Sequence, residues 1–327
     1  MNHRTGEVLA FFQNRVFDFV SGEEIAKALG FSRTAVWNHI DTLRQLGYEF
    51  EALPRLGYRL LSSPDRLFPD EIERSLGTEV IGRKIYYYDR VSSTNDVADR
   101  LAEEGACEGT VVVAEYQEKG RGRMGRSWQS PHGKNILFSV VLRPRLDPSF
   151  VSLITIMSSV AVTRVLEGFG FNALIKWPND VYIDGKKIAG ILTEMKCEQD
   201  QIKHLILGMG LNVNMEESDF SDDLAPIAKS LALVSKIKLD RKDILRKLLC
   251  ELESTYFLVV KGCYDQVLAE WSRRSFLVGK WVEVIVGDKK EEGVVLGTDS
   301  KGALLLRNEN GFIASVMSGD VSLRAKS

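Results

Sequence analysis

Apolar residues recur at helical spacing along the start of the chain. Residues 4–19 set Val8, Phe12, Val16 and Phe19 on one face of a first helix. GEEIAKAL (22–29) sets Ile25, Ala26 and Leu29 at the same spacing, and Gly30-Phe31-Ser32 breaks it. Ser32 suits the cap of a further helix, RTAVWNHIDTLRQL, whose stripe is Val36, Ile40 and Leu43. A short helix, a glycine-bearing turn and a second helix make a helix-turn-helix. After Gly47 the period falls to two. YEFEAL and YRLL flank Pro54-Arg55-Leu56-Gly57, a hairpin with a basic tip, which is the wing of a winged helix. Arg33, Thr34, Trp37, Asn38 and Arg44 lie off the apolar stripe, and with Arg55 they are the candidate DNA contacts.

Ser62-Ser63-Pro64-Asp65 reads as a linker. From 66 to 272 strands and helices alternate. KIYYYD, GTVVVAEYQ, ILFSVVLRP, ALIKWP and HLILGMGLNVN read as strands. VYIDGKKIAGILTEM reads as a hairpin turning at Asp184-Gly185. SSTNDVADRLAEEG leads into a helix, 149–168 is an apolar helix, and 240–272 is helical. Short hairpins among the strands predict an α/β domain with a mixed sheet. KWVEVIV, EEGVVLGTD, GALLLRN and GFIASVMS predict a last, all-β segment over 276–327.

Composition narrows the function classes. The chain has 327 residues, 43 Lys+Arg against 45 Asp+Glu, and ordinary hydrophobic content. Residues 1–62 hold seven basic and seven acidic side chains. A module of zero net charge gains little from phosphate neutralisation, so specific DNA binding calls for two copies on one site. A helical interaction module that never touches DNA is the alternative. No apolar run reads as long enough to span a membrane, and the N-terminus is a poor signal peptide. Four scattered cysteines read as reduced thiols of a cytoplasmic protein, and the four histidines show no ligand spacing.

Charge concentrates in one stretch, EYQEKGRGRMGRSW (115–128), between two predicted strands. Glycines let backbone amides approach a phosphate, and arginine forks hold its oxygens. The reading is a loop that closes over an anionic ligand; a solvated linker and an RG-rich nucleic-acid loop are the alternatives. KWPND (176–180) follows a strand, and Asn179 and Asp180 offer oxygens for hydrated Mg²⁺ or for orienting a nucleophile. Lys187, after the Gly185 turn, is a candidate fixed cation; alone it would read as a snorkelling edge residue. GMGLNVN (208–214) puts glycines where a backbone must be approached.

Together SSTN (92–95), the 115–128 stretch, SPHGKN (130–135), KWPND, GKKIAGIL (185–192) and GMGLNVN resemble the biotin protein ligases. The winged helix extends the resemblance to members that are also biotin operon repressors. Met124 stands where the family often has arginine. The resemblance implies a winged helix-turn-helix over 1–63, a class II synthetase-like catalytic domain over 66–272, and an SH3-like barrel over 276–327. It implies ATP, Mg²⁺ and biotin, a biotinyl-5′-AMP intermediate, and transfer to a lysine of the biotin carboxyl carrier protein of acetyl-CoA carboxylase. It also implies palindromic operator DNA, biotinyl-5′-AMP as corepressor and a homodimer when it is bound.

By the same resemblance Lys187 bridges the biotin carboxylate and the α-phosphate. Ser93, Thr94, Asn95 and Gln117 hold the ureido group, and Arg121, Gly122 and Arg123 fold over the tail. Trp128, Asn179 and Asn212 serve the nucleotide, and Arg324 reaches its phosphates. Asp180 orients or deprotonates the incoming amine, or holds Mg²⁺. A lipoate-type ligase, and a ligand-sensing repressor without ligase activity, remain the competing readings.

Overall fold

The structure, a computed structural model, describes residues 3–13, 15, 18–74, 76–287, 289–317 and 319–323. The chain divides into two compact units, Met1–Glu71 and Ile72–Ser327. The first runs α1 (His3–Gln13), α2 (Gly22–Leu29), α3 (Arg33–Gln45), then a hairpin of β1 (Glu49–Leu53) and β2 (Gly57–Ser62). Ser21 and Ser32 cap α2 and α3, accepting from Glu24 N and Ala35 N at 3.1 Å, and Gly30 between them is left-handed at φ 69°. Val8, Phe12, Ile25, Val36, Ile40 and Leu43 share one core.

The first helix is shorter than its apolar spacing predicts. It stops at Gln13, Arg15 N turns back to Phe12 O, and Val20 exchanges two backbone hydrogen bonds with Tyr58 at 2.8 and 2.9 Å. Drawing Val20 alongside the wing takes Asp18 and Phe19 out of helix. Phe19 is half-buried there, with the Arg59 guanidinium 4.6 Å from its ring centroid. Val16 lies outside the described residues. Gly57, at φ 102°, is the position where the wing needs glycine: a Cβ would stand 2.1 Å from Val20 O.

A short α4 (Pro69–Glu73) spans the division. The second unit is built on β3 (Ile85–Tyr88), β4 (Val111–Ala114), β5 (Ile136–Leu142), β6 (Leu174–Lys176), β7 (Asp180–Ile183), β8 (Lys186–Glu198) and β9 (Gln201–Leu211), in the order β3-β4-β5-β9-β8-β7-β6. β3 and β4 are parallel and the other neighbours antiparallel, so the sheet is mixed as the hairpins predict. The parallel pair needs a crossover, supplied by α5 (Thr94–Glu103), whose Ala98 and Ala102 pack on Val112, Val141 and Ile206.

The opposite face is covered by α6 (Ser152–Gly168), where Thr155 Oγ1 meets Thr193 Oγ1 of β8 at 2.9 Å. A short α7 (Leu231–Ser235) follows the sheet, and α8 (Arg241–Val260) packs on α6. Gly262, at φ 75°, breaks the predicted 240–272 helix, and α9 (Tyr264–Arg274) follows. Pro148–Gly168, whose most apolar 18-residue stretch has mean hydropathy 1.7, is long and apolar enough by length and composition to cross a membrane. That corrects the expectation that no apolar run reaches this length. Within the unit 67% of that stretch is buried, and a helix buried over most of its surface reads as apolar nearly all round.

The last strands are β10 (Trp281–Val286), β11 (Lys289–Thr298), β12 (Leu304–Arg307), β13 (Ile313–Val316) and β14 (Asp320–Leu323), an antiparallel sheet in the order β13-β12-β11-β10-β14. It is tied to the larger sheet by Trp177, 2% exposed, whose Nε1 donates to Gly302 O at 3.1 Å.

Candidate active site and nucleic-acid interface

On the α5 face of the large sheet, glycines in β8 and β9 open a cavity of about 530 Å³. A Cβ on Gly208 would stand 2.0 Å from Asn95 Oδ1, one on Gly210 2.4 Å from Trp128 Cε2, and one on Gly190 2.9 Å from Trp128 Cζ3. The floor is bare backbone, and two side chains from outside the sheet lie against it.

One end is a neutral polar cradle at the start of α5, with Ser93, Thr94 and Asn95 almost fully buried. Thr94 donates from N and Oγ1 to Gln117 Oε1 at 2.7 and 2.9 Å. Both donors fall on the Gln117 oxygen, so its NH₂ is left for the cavity. Ser139 Oγ lies 2.7 Å from Thr94 Oγ1 and 2.6 Å from Asn95 Oδ1, donating to one at a time. Asn95 Nδ2 donates to Glu194 Oε2 at 2.5 Å. The amide of Asn95 is therefore fixed at both ends.

The remainder is cationic, with Arg121, Arg123, Arg126, Lys176 and Lys187 in the wall. Arg121 pairs with Asp96 at 2.5 Å and with Glu194 at 3.2 Å, and these partners raise its pKa against the opposing effect of burial. Lys187 Nζ is 2.7 Å from Asp180 Oδ1 and 5.5 Å from the Trp128 ring centroid. Among the described residues the Arg123 guanidinium reaches Asn179 Oδ1, at 3.4 Å, and burial pulls its pKa down. Burial likewise depresses Lys176, whose Nζ is 5.3 Å from the Tyr182 ring centroid. The Tyr182 phenol is itself pushed up to about 12 by burial and then by Asp180.

The 115–128 stretch is less irregular than its glycines suggest. Trp128 N donates to Gly120 O at 2.8 Å, Gly122 N to Arg126 O at 2.7 Å, and Arg121 bridges Ser127. It folds as a small hairpin, with Met124 and Gly125 at φ 54° and 74° at its tip. Its two stems are held by one buried arginine: Arg241 Nη1 donates to Glu115 Oε2 and to Asn135 O, each at 2.8 Å. The Trp128 indole N–H is buried without an acceptor among the described residues. Asn212 lines the cavity, but its amide donates to Lys229 O at 3.2 Å and accepts from Asn135 at 3.4 Å. Asn179 donates to Ile191 O at 2.9 Å.

Ile285, Asp320 and Val321 of the small sheet close one side of the cavity, and Asp320 pairs with Arg126. Arg324, expected on that side, lies outside the described residues. The structure thus brings Ser93, Thr94, Asn95, Gln117, Arg121, Gly122, Arg123, Trp128, Asn179, Asp180, Lys187 and Asn212 into one cavity. Sequence reasoning missed Glu194, Asp96, Ser139, Lys176 and Arg126, though Lys176 and Arg126 stand inside motifs it had singled out. Of the histidines, His204 gathers with Asp99 and Glu103, their ligand atoms within 4.8 Å of one another. Lys196 and Lys203 already neutralise that cluster at 3.1 and 2.6 Å from Glu103.

In the first unit Arg33, Thr34, Trp37, Asn38, Arg44 and Arg55 are all exposed. The first five project from α3, and Trp37 is 52% exposed. Arg33 is paired with Glu23 of α2. Arg55 stands at the wing tip with φ 68°.

The chain matches the Biotin/lipoate A/B protein ligase family over residues 87–212, an HTH domain over 4–59, and the Biotin protein ligase C terminal domain over 277–324. It is 39% identical over 318 residues to the bifunctional ligase/repressor BirA of Bacillus subtilis, covering 97% of this chain and 98% of that one. It is 31% identical over 317 residues to BirA of Escherichia coli, with 94% of each covered. A solved structure of the Aquifex aeolicus biotin protein ligase in complex with biotin and ATP superposes with a TM-score of 0.63 at 29% identity, covering 75% of this chain and 100% of that one.

Proposed function

The chain belongs to the biotin protein ligase family, alongside its bifunctional ligase/repressor members, and we propose that it joins biotin to a carrier protein and represses transcription. In this reading residues 1–63 bind DNA, 66–272 carry the chemistry, and 276–327 close the active site. One observation carries it. A single cavity holds a neutral hydrogen-bonding cradle at one end and a cluster of fixed cations at the other. That matches a ligand with a neutral polar head and an acid tail activated on a phosphate.

Biotin's ureido head sits in the cradle of Ser93, Thr94, Asn95 and Gln117, with the free Gln117 NH₂ donating to its carbonyl. A buried polar head needs each partner satisfied, and this set is ordered before the ligand arrives. The tail carboxylate lies at Lys187. One carboxylate oxygen attacks the α-phosphorus of ATP and pyrophosphate leaves. Lys187, Arg121 and Arg123 offset the approach of two anions. Trp128 caps the base with Asn212 and Asn179 nearby, and Arg324 extends toward the phosphates. In the second step the ε-amine of a carrier lysine attacks the acyl carbon and AMP leaves. Asp180, at the cavity wall, orients that amine or takes its proton.

Mg²⁺ suits this donor set, since one carboxylate with substrate phosphates is a usual way to hold it. Asp180 and the Asn179 oxygen would hold it, and bound Mg²⁺ supplies positive charge to the phosphates. The carrier is the biotin carboxyl carrier protein of acetyl-CoA carboxylase. The repressor acts as a homodimer on palindromic DNA with biotinyl-5′-AMP as corepressor, using Arg33, Thr34, Trp37, Asn38, Arg44 and Arg55. ATP and operator DNA both set its place in the cytoplasm.

Incubation with biotin, MgATP and a carrier domain, followed by mass spectrometry, tests the ligase. A biotin-sized mass gain on one carrier lysine is expected. Modification only with lipoic acid would make it a lipoate-type ligase. No modification, with biotin-dependent DNA binding intact, would make it a sensor without ligase activity.

A further inference from the structure

Five basic side chains line the cavity, and three are already neutralised: Arg121 by Asp96 and Glu194, Arg126 by Asp320, and Lys187 by Asp180. Arg123 and Lys176 have no carboxylate within 4.0 Å among the described residues. Arg123 belongs to the hairpin over the cavity. Lys176 is fixed in the sheet, and nothing in the reading above uses it.

The strand register gives its place. Lys176 of β6 pairs with Asp180 of β7, Asp180 with Gly190 of β8, and Gly190 with Gly210 of β9. These four residues form one row across the sheet. Trp128 covers Gly210 and Gly190 at one end. Lys187 meets Asp180 in the middle. Lys176 stands at the far end, beside the Tyr182 ring. Strands are spaced about 4.8 Å apart, so the row spans about 14 Å, enough for a nucleotide lying from base to terminal phosphates.

Resting on the ligase reading, we propose that Lys176 binds the terminal phosphates of ATP and stabilises pyrophosphate as it departs. When the carboxylate oxygen bonds to the α-phosphorus, the bond from that phosphorus to the bridging oxygen breaks. Its electron pair leaves with pyrophosphate. No proton is transferred, so the charge gathering on the leaving group is offset by cations, and a fixed ammonium at this end of the row adds to what the metal supplies. The three paired cations are partly spent on protein carboxylates. Burial pulls the Lys176 ammonium's pKa down, and the more distant Asp180 and Asp320 only partly oppose this, so a phosphate placed against it gives it the direct partner it lacks.

The test uses the full chain with Lys176→Met and Lys176→Arg. Two reactions are measured: biotin-dependent exchange of pyrophosphate into ATP, and transfer from supplied biotinyl-adenylate to a carrier domain. Lys176→Met is expected to slow exchange about 100-fold, with a raised KM for pyrophosphate. Transfer should stay within about twofold, because that step involves no pyrophosphate. Lys176→Arg should recover much of the exchange. Exchange by Lys176→Met near the wild-type rate would overturn the proposal. So would an equal loss of both reactions in both variants, which would make Lys176 a structural residue. If the wild type itself shows no biotin-dependent exchange, the ligase reading falls; if only the variants match wild type, this assignment alone falls.

Discussion

The Trp128 ring lies against the backbone of Gly210, so closely that a Cβ there would stand 2.4 Å from its Cε2. Two residues earlier on β9, Gly208 stands in the same relation to Asn95, at 2.0 Å. Alternate residues of a strand share a face, so one bare strip of backbone receives a group from the cradle and one from the basic hairpin.

On the ligase reading the two glycines act on different substrates. Gly210→Ala displaces Trp128 and is expected to raise the KM for ATP about tenfold while sparing biotin affinity. Gly208→Ala displaces the Asn95 amide and should do the reverse. Pyrophosphate exchange titrated with each substrate in turn checks both. Equal effects of the two variants on both substrates would show that the strip holds up the cavity as a whole.

Lys187 and Asp180, 2.7 Å apart, are expected to fail in different steps. Lys187→Ala removes a fixed cation from the attack on phosphorus, so adenylate formation should fall by about 10²–10³ with the fold intact. Asp180→Asn should slow transfer to the carrier more than adenylate formation, since an amine is handled only in the second step. Single-turnover measurement of each step distinguishes them. Wild-type exchange in Lys187→Ala would end its assignment.

The motifs were legible because each is local. Asp184-Gly185 forms the predicted two-residue turn, and Ser93, Thr94 and Asn95 of the cradle are neighbours at one helix start. Their partners were not legible. Glu194 is one acid within a long strand and meets Asn95 only because β8 crosses beside β9 under α5. Ser139 reads as one polar residue in a buried strand until the register sets it beside Thr94. Arg241 opens a helix more than a hundred residues after Glu115, yet clamps the stems of the basic hairpin. The end of α1 was misread because helical periodicity carries no notice of Tyr58 pairing with Val20.

Glu194 holds two groups, Asn95 at 2.5 Å and Arg121 at 3.2 Å. Glu194→Gln keeps the size but cannot accept from both without turning its NH₂ toward one donor. Biotin affinity is expected to fall about tenfold, with the KM for ATP little changed. Isothermal titration with biotin in the absence of ATP checks this. Unchanged affinity would mean that Ser139 alone orients the Asn95 amide.

The open edge of β8 offers a route from the cavity to self-association. β8 pairs with β9 along Ala189–Glu198 but with β7 only as far as Gly190. Ile191 N donates to Asn179 O on the β7 side at 3.0 Å. By alternation the N–H groups of Thr193 and Met195 face that same side, where no strand continues among the described residues. Glu194, between them, points to the α5 face of the sheet and holds Arg121 of the basic hairpin. Ligand that orders the hairpin lowers the entropy cost of joining this edge to a second copy. Residues 1–62, with zero net charge, would gain most from such pairing, because two copies could share one palindromic site. Biotin with MgATP is therefore expected to promote dimerisation and operator binding together, and apo carrier to reverse both by consuming the adenylate. Met195→Pro removes one outward N–H without touching the β9 ladder. It should weaken dimerisation and DNA binding about tenfold or more while leaving pyrophosphate exchange within about twofold. Sedimentation and DNA titration, each with and without ligands, measure the first two. Ligand-dependent dimerisation that survives Met195→Pro unchanged would place the contact elsewhere, and equal DNA affinity with and without ligands would rule out the coupling.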